Sequence, residues 1–254
     1  MSVVITGASR GLGAALAREF AGPGVALRLI ARDAAALAAV AADCAARGAT
    51  VETALCDVRE AARLAAILEA WDDAAPVTLL IANAGITGGT PPDGGLEGWE
   101  GATRVLGVNL LGAVNTVEPL LPRMLARRAG RVALIASVAA FRALPDAPAY
   151  SASKAGLWSY GEALRARLGP RGVGVSLVAP GFFASALSAR FQGPHPGEVS
   201  AEAMARRVAR GLRRGRARVV APWSLGALLR GLELLPAPLA DRAARVLRFT
   251  IRAD

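Results

Sequence analysis

Lysine is almost absent from this chain. Of thirty basic residues in 254, a single one, Lys154, is a lysine, and all the others are arginine. Histidine is as scarce: His195 stands alone, in the turn-like run Gly193-Pro194-His195-Pro196-Gly197, so a histidine-centred triad or a multi-histidine zinc site is not expected. Two cysteines, Cys44 and Cys56, give no disulfide framework and no ligand spacing, and no metal is expected. Aromatic residues form 5% of the chain and do not interleave with arginines as in a nucleic-acid platform, so a nucleic-acid partner is not expected. No apolar run reaches the roughly 18 uncharged residues of a spanning helix. The chain opens directly on Ser2-Val3-Val4-Ile5 with no basic leader, which makes a cytoplasmic location the expectation.

Apolar residues and arginine dominate what remains. The hydrophobic fraction of 54% is ample for one large core. The net charge of +10 is uneven, since from Glu202 onward four acids stand against twelve arginines. Short β-branched or leucine-rich runs alternate with alanine-rich helical stretches, the pattern of a parallel sheet covered on both faces. Strands are predicted at 2–6, 25–31, 51–56, 77–82, 131–136, 173–179 and 217–221, and helices at 11–21, 34–47, 60–74, 97–127, 149–168 and 200–213. This is an α/β, doubly wound, seven-stranded parallel sheet in one domain over residues 1–221. A helical extension over 222–254 follows, with helices at 223–235 and 238–252 split by Pro236-Ala237-Pro238. The Gly/Pro-rich stretches 85–95 and 180–197 follow strand ends, where ligands bind in such sheets.

Lys154 lies four residues after Tyr150, a spacing that puts both on one face of a helix. An ammonium there would stabilise the phenolate and lower the tyrosine pKa, equipping it to exchange protons near neutrality. After the first strand comes Thr6-Gly7-Ala8-Ser9-Arg10-Gly11-Leu12-Gly13, a glycine turn opening a helix, which suits a pyrophosphate at the helix N-terminus. The second strand ends Ala31-Arg32-Asp33. Ala31 stands where an acid would hold a ribose 2′-hydroxyl, and Arg32 with Arg10 predicts a 2′-phosphate and hence NADP(H). Asp33 is placed to cap the next helix. Asp57-Val58 and Asn83-Ala84-Gly85 close the third and fourth strands, where an adenine and a ribose could be met. Ser137 ends the fifth strand and could bond a substrate oxygen. Asn109, an unfavourable helix residue, marks a bend or a bound water.

Together, in this order, the turn at 6–13, Asp57, Asn83 to Gly85, Asn109, Ser137, Tyr150, Lys154 and Pro180-Gly181 resemble the short-chain dehydrogenase/reductase family, over about residues 2 to 221. The resemblance implies a Rossmann-like fold with Tyr150 as catalytic acid/base. Lys154 would lower its pKa and hold the nicotinamide ribose, Ser137 would orient the substrate carbonyl, and Asn109 would keep a water in a proton relay. It also implies that Pro180, Gly181, Phe183 and Ser185 belong to a segment binding the carboxamide, and that the protein is a homodimer or homotetramer. Two positions depart from the family pattern: Ala82 replaces a frequent asparagine, and Ser185 a frequent threonine.

The expected function is NADP(H)-dependent hydride transfer to or from a carbonyl or secondary alcohol, with a non-enzymatic dinucleotide sensor as the alternative. Phe141, Leu144, Phe182, Phe183 and Trp223 are the expected pocket wall and favour an apolar substrate. The basic C-terminal helices over 223–252 leave three readings open: packing on a subunit or the pocket, contact with an acidic membrane surface, or recruitment of an acidic carrier or acyl substrate.

Overall fold

The computed structural model describes residues 1–90, 95–186, 188–193, 195–244 and 250–251. Predominantly apolar runs form the inner strands, because both faces of a parallel sheet are covered. These are β1 (Ser2–Thr6), β2 (Ala26–Ala31), β4 (Leu79–Ala82), β5 (Arg131–Ile135) and β6 (Gly174–Pro180). Strand β3 (Thr50–Leu55), exposed at Thr50, Glu52, Thr53 and Leu55, lies at one edge, while β8 (Arg218–Ala221) lies at the other. The order is β3-β2-β1-β4-β5-β6-β8, all parallel, so the doubly wound seven-stranded sheet is as expected.

Alternation along β1 sends Val3 and Ile5 to one face and Val4 to the other. The first face packs on α1 (Gly11–Phe20), α2 (Ala34–Ala46) and α8 (Ala201–Arg213) through Leu16, Leu37, Met204 and Val208. The second packs on α3 (Ala61–Ala74), α5 (Gly112–Val117), α6 (Leu121–Ala126) and α7 (Pro148–Leu168) through Leu64, Leu68, Val117, Met124 and Leu157. Each fully buried leucine contributes about 1.5–3 kcal/mol. Asp33 caps α2 as expected, accepting from the Ala36 N–H at 3.1 Å. The order in which strands are added reverses between β1 and β4, and a crevice opens there at the carboxyl edge.

Two expectations are corrected. The single helix expected over 97–127 is broken into α4 (Gly98–Leu106), a π turn at Gly107–Leu111, α5, a 3-10 turn at Glu118–Leu120 and α6. Asn109 sits in the π turn, and Pro119 and Pro122 remove backbone donors farther on. This stretch is long and apolar enough to cross a bilayer by composition, yet half of its most apolar window is buried inside the fold. At the C-terminus, α9 (Trp223–Leu232) and α10 (Ala237–Ala244) form, but the helix expected over 238–252 ends at Ala244. Thr250–Ile251 is instead strand β9, antiparallel to β7 (Phe191–Gln192), and 245–249 and 252 lie outside the described residues.

Candidate active site

Proline at the first position of α7 starts the helix that carries Tyr150 and Lys154. One turn apart, they share a face as expected: the Lys154 Nζ lies 5.8 Å from the centre of the Tyr150 ring. Lys154 is only 4% exposed and donates to the Ile135 carbonyl at the end of β5, at 2.9 Å. Burial pushes its pKa down from 10.5 to about 8. Burial also pushes the Tyr150 phenol up, and a hydrogen bond with the Ser137 side chain opposes this only in part. The expected lowering of the Tyr150 pKa is therefore not seen in the protein alone, where desolvation of the phenol dominates.

Ser137 follows β5 in extended backbone and starts a 3-10 turn, its Oγ accepting from the Ala139 N–H at 3.1 Å. Asn109 does not line the cleft. Its Oδ1 accepts from the Ile86 N–H at 2.8 Å, and its Nδ2 donates to the Ile86 carbonyl at 2.9 Å and to the Ser153 Oγ at 3.1 Å. Ser153 in turn donates to the Tyr150 carbonyl at 2.6 Å. The amide thus ties the loop after β4 to the tyrosine's own helical turn. With protein partners on its carbonyl and on both N–H directions, the side-chain amide is braced. A Cβ on Gly85 would lie 3.5 Å from the Lys154 Nζ, an ordinary contact, so the loop after β4 passes directly beside the amine.

Lys154, Tyr150 and Ser137 open onto a cleft of about 820 Å³ that also takes in the glycine turn. Gly7 and Gly11 have φ of +64° and +56°, and a Cβ on Gly13 would sit 2.2 Å from the Gly7 carbonyl oxygen. Ser9, Arg10, Gly11, Leu12 and Gly13 line the cleft, and the N-terminus of α1 has no side-chain cap. Uncapped backbone N–H groups at that end are the chemistry a pyrophosphate needs. Thr6 does not line the cleft: it is buried, its Oγ1 accepting from the N–H groups of Asn83 (3.1 Å) and Ala84 (3.2 Å). Asn83 reciprocates through its Nδ2 to the carbonyls of Thr6 (3.0 Å) and Gly7 (3.2 Å), and Ala84 and Gly85 line the cleft beside it.

At the far end Arg32 reaches Asp57 at 3.4 Å. Arg59, which sequence reading missed, pairs with the same carboxylate at 2.8 Å. That hydrogen bond, partly offset by burial, holds Asp57 down to about 2. The signal available was the run Asp57-Val58-Arg59 after a strand, with a base two residues beyond the acid. Val58 lines the same wall. At the other end Leu144, Phe182, Phe183, Pro180, Gly181 and Ser185 border the cleft as expected. The Ser185 Oγ accepts from the Ser188 N–H at 3.0 Å, and Phe182 stacks on His195 at 4.9 Å.

Phe141 and Trp223 are not part of this wall. Phe141 turns into the core, edge-on to Trp158 at 4.8 Å and under the Arg230 guanidinium at 4.1 Å. Trp223 is 76% exposed, because α9 turns Leu225 and Leu229 into the cleft in its place. Val138, Arg142, Arg190 and Phe191 complete the wall and were also missed; their positions follow from loop packing, which carries no periodic signal. Among the described residues no three His, Cys, Asp or Glu side chains gather as a metal site.

A parallel sheet with a glycine-turn cleft, and a tyrosine and lysine at its carboxyl edge, defines a nucleotide-binding α/β protein. The family model described as short chain dehydrogenase matches residues 1–194. The chain belongs to the short-chain dehydrogenase/reductase family, a family of oxidoreductases. An oxidoreductase of Myxococcus xanthus is 38% identical over 248 residues, 97% of each chain. A ketoacyl reductase of Nostoc sp. is 36% identical over 71% of this chain and 63% of its own. Among solved structures, a short-chain dehydrogenase from Sphingobium yanoikuyae in complex with NADPH aligns at a TM-score of 0.80 and 26% identity, covering 100% of this chain and 98% of that one. A family member from Burkholderia phymatum in complex with NAD aligns at 0.81 and 26% identity, covering 100% and 97%.

Proposed function

We propose that this chain is an NADP(H)-dependent oxidoreductase acting on a carbonyl or secondary alcohol with an apolar body. The observation that carries the reading is the convergence of Tyr150, Ser137 and Lys154 in the same cleft as an uncapped helix N-terminus behind a glycine turn. The residues present fit a nicotinamide dinucleotide. Gly11 and Gly13 admit a pyrophosphate close to the backbone. All of these residues line one cleft, in which Asp57 and Val58 would wall the adenine end, Asn83 to Gly85 would flank the ribose, and Phe183 and Ser185 would meet the carboxamide. Arg10 and Arg32 supply positive charge where a 2′-phosphate would sit, which supports NADP(H) over NAD(H). Relatives of the fold are found with either cofactor, so this preference rests on the two arginines.

When bound, the cofactor supplies the hydride. Within the protein, Tyr150 donates its phenolic proton to the substrate oxygen in the reducing direction, and the Ser137 hydroxyl stabilises the charge developing there. Lys154 uses one donor on Ile135 and offers the others to the ribose and toward the phenolate. Asn109 is a positioning residue that fixes the turn bearing Tyr150. Leu144, Phe182, Leu225 and Leu229 exclude water and select an apolar body. Exposed Trp99 and Leu111 along the broken helical stretch support assembly as a homodimer or homotetramer.

The test is the decay of NADPH absorbance with a panel of ketones and aldehydes of increasing apolar size. Turnover rising with apolar bulk is expected. NADPH binding without turnover of any member would favour a dinucleotide sensor instead.

A further inference from the structure

Large apolar side chains are exposed along α9, the turn after it and α10. Trp223 and Leu234 are 76% and 87% exposed, and Leu228, Leu235 and Leu239 are exposed with them. Scattered exposed leucines are ordinary, but five large apolar side chains within residues 223–239 of a folded chain mark a contact surface. The acids of 222–244 are Glu233 and Asp241, and both are held by one arginine, Arg142, from the loop after β5. Arg142 offsets one of these two charges, and the exposed Arg230 and Arg242 on the two helices leave the face with a small positive balance.

We infer that the α9–α10 face docks on an anionic lipid bilayer. A second copy of the chain is the rival occupant, but each copy carries a net charge of +10, and a self-complementary contact would set the same arginines against each other. A bilayer with acidic headgroups accepts both features at once: leucines enter the acyl boundary, arginines meet the headgroups, and Trp223 takes the interfacial position tryptophan prefers. The docked helix is also a wall of the cleft. Leu225 and Leu229 face the cavity from the same α9 whose outer face carries Trp223 and Leu228. Docking sets the substrate end of the cleft against the bilayer, so the substrate is a lipophilic carbonyl or alcohol partitioned there. That last step rests on the proposed oxidoreductase reading; the docking itself does not.

The test is co-sedimentation of the full chain with vesicles of phosphatidylcholine alone or mixed with phosphatidylglycerol. Binding to the mixed vesicles is expected, weakening as salt is raised. The triple variant Trp223→Ser/Leu234→Ser/Leu239→Ser should bind about tenfold more weakly or worse. Because these side chains are exposed, the variant should keep its circular dichroism and its turnover of a water-soluble ketone. As a readout independent of that variant, brominated lipid should quench tryptophan emission in the wild type and in Trp99→Phe, and lose most of this effect in Trp223→Phe. A wild-type chain that stays in the supernatant with mixed vesicles overturns the inference. So does light scattering that shows a dimer broken by the triple variant in the absence of lipid. Intact vesicle binding with no NADPH turnover would sink the oxidoreductase reading and leave docking standing.

Discussion

Replacing Lys154 by methionine should make the protein more stable while destroying its activity. The amine is buried and donates to the Ile135 carbonyl, and burial lowers its pKa from 10.5 to about 8. Across such a drop, at about 1.4 kcal/mol per pH unit, the charged amine costs the folded state about 3 kcal/mol at neutral pH. Methionine is similar in length and apolar, so it removes this cost. It leaves the Ile135 carbonyl without its donor, a loss of about 1 kcal/mol. The net gain is about 2 kcal/mol at pH 7, or a rise in Tm of roughly 5 °C for a domain of this size.

The sign follows from linkage. The folded pKa lies below the unfolded one, so between pH 8 and 10.5 the unfolded state binds more protons, and wild-type stability gains on the variant as pH rises. The advantage of the variant should be full below about pH 8 and gone by about pH 10.5. No other lysine titrates in this window, so the difference between the two curves isolates one group. Raised thiols at Cys44 and Cys56 are common to both proteins and cancel. Urea unfolding of the cofactor-free proteins from pH 7 to 10.5 measures it. A variant less stable than wild type at pH 7, or an advantage that does not change with pH, refutes the reasoning.

Three further outcomes are expected. Arg32→Ala should weaken NADPH binding by about tenfold to a hundredfold with little change for NADH, by titration calorimetry, since one guanidinium on a phosphate contributes about 1.5–3 kcal/mol; equal losses for both cofactors would remove the 2′-phosphate site. Gly13→Ala should abolish binding of both cofactors, because the added Cβ would fall 2.2 Å from the Gly7 carbonyl oxygen; unchanged affinity would mean that the turn tolerates a shift. Burial raises the Asp72 carboxyl, but Arg127 and the Val77 N–H, each at 2.8 Å, outweigh it and hold the pKa below its ordinary 3.8. Its stabilisation is present at neutral pH and lost as pH falls through the folded pKa. Asp72→Ala should therefore cost about 3 kcal/mol at pH 7, and the cost should shrink as pH falls below 3.8 and through the folded pKa, by chemical denaturation.

The sheet was legible because the inner strands are mostly apolar runs, as burial on both faces demands, although Arg28 and Ser176 interrupt two of them. The spacing of Tyr150 and Lys154 was legible because a helix converts four residues into one turn. Asn109 was readable as a bend, and the π turn bears that out. Its partners were not readable, since Ile86 and Ser153 reach it only through the fold. Phe141 was expected in the pocket wall as an apolar residue, whereas the 3-10 turn after Ser137 aims its ring at Trp158. On α9, Trp223 and Leu225 are both apolar, and composition does not fix which side of the helix meets the cleft. Arg59 and Arg142 act through ion pairs, one local and one spanning most of the way to the C-terminus, and such pairing leaves no periodic trace.

The most direct test of the central claim is NADPH oxidation by Tyr150→Phe, with cofactor binding followed in parallel by the fluorescence of bound NADPH. The phenolic proton is the one element the substitution removes. The account predicts that turnover of an apolar ketone accepted by the wild type falls by about a hundredfold or more while NADPH binds as before. A variant that keeps wild-type turnover would contradict it.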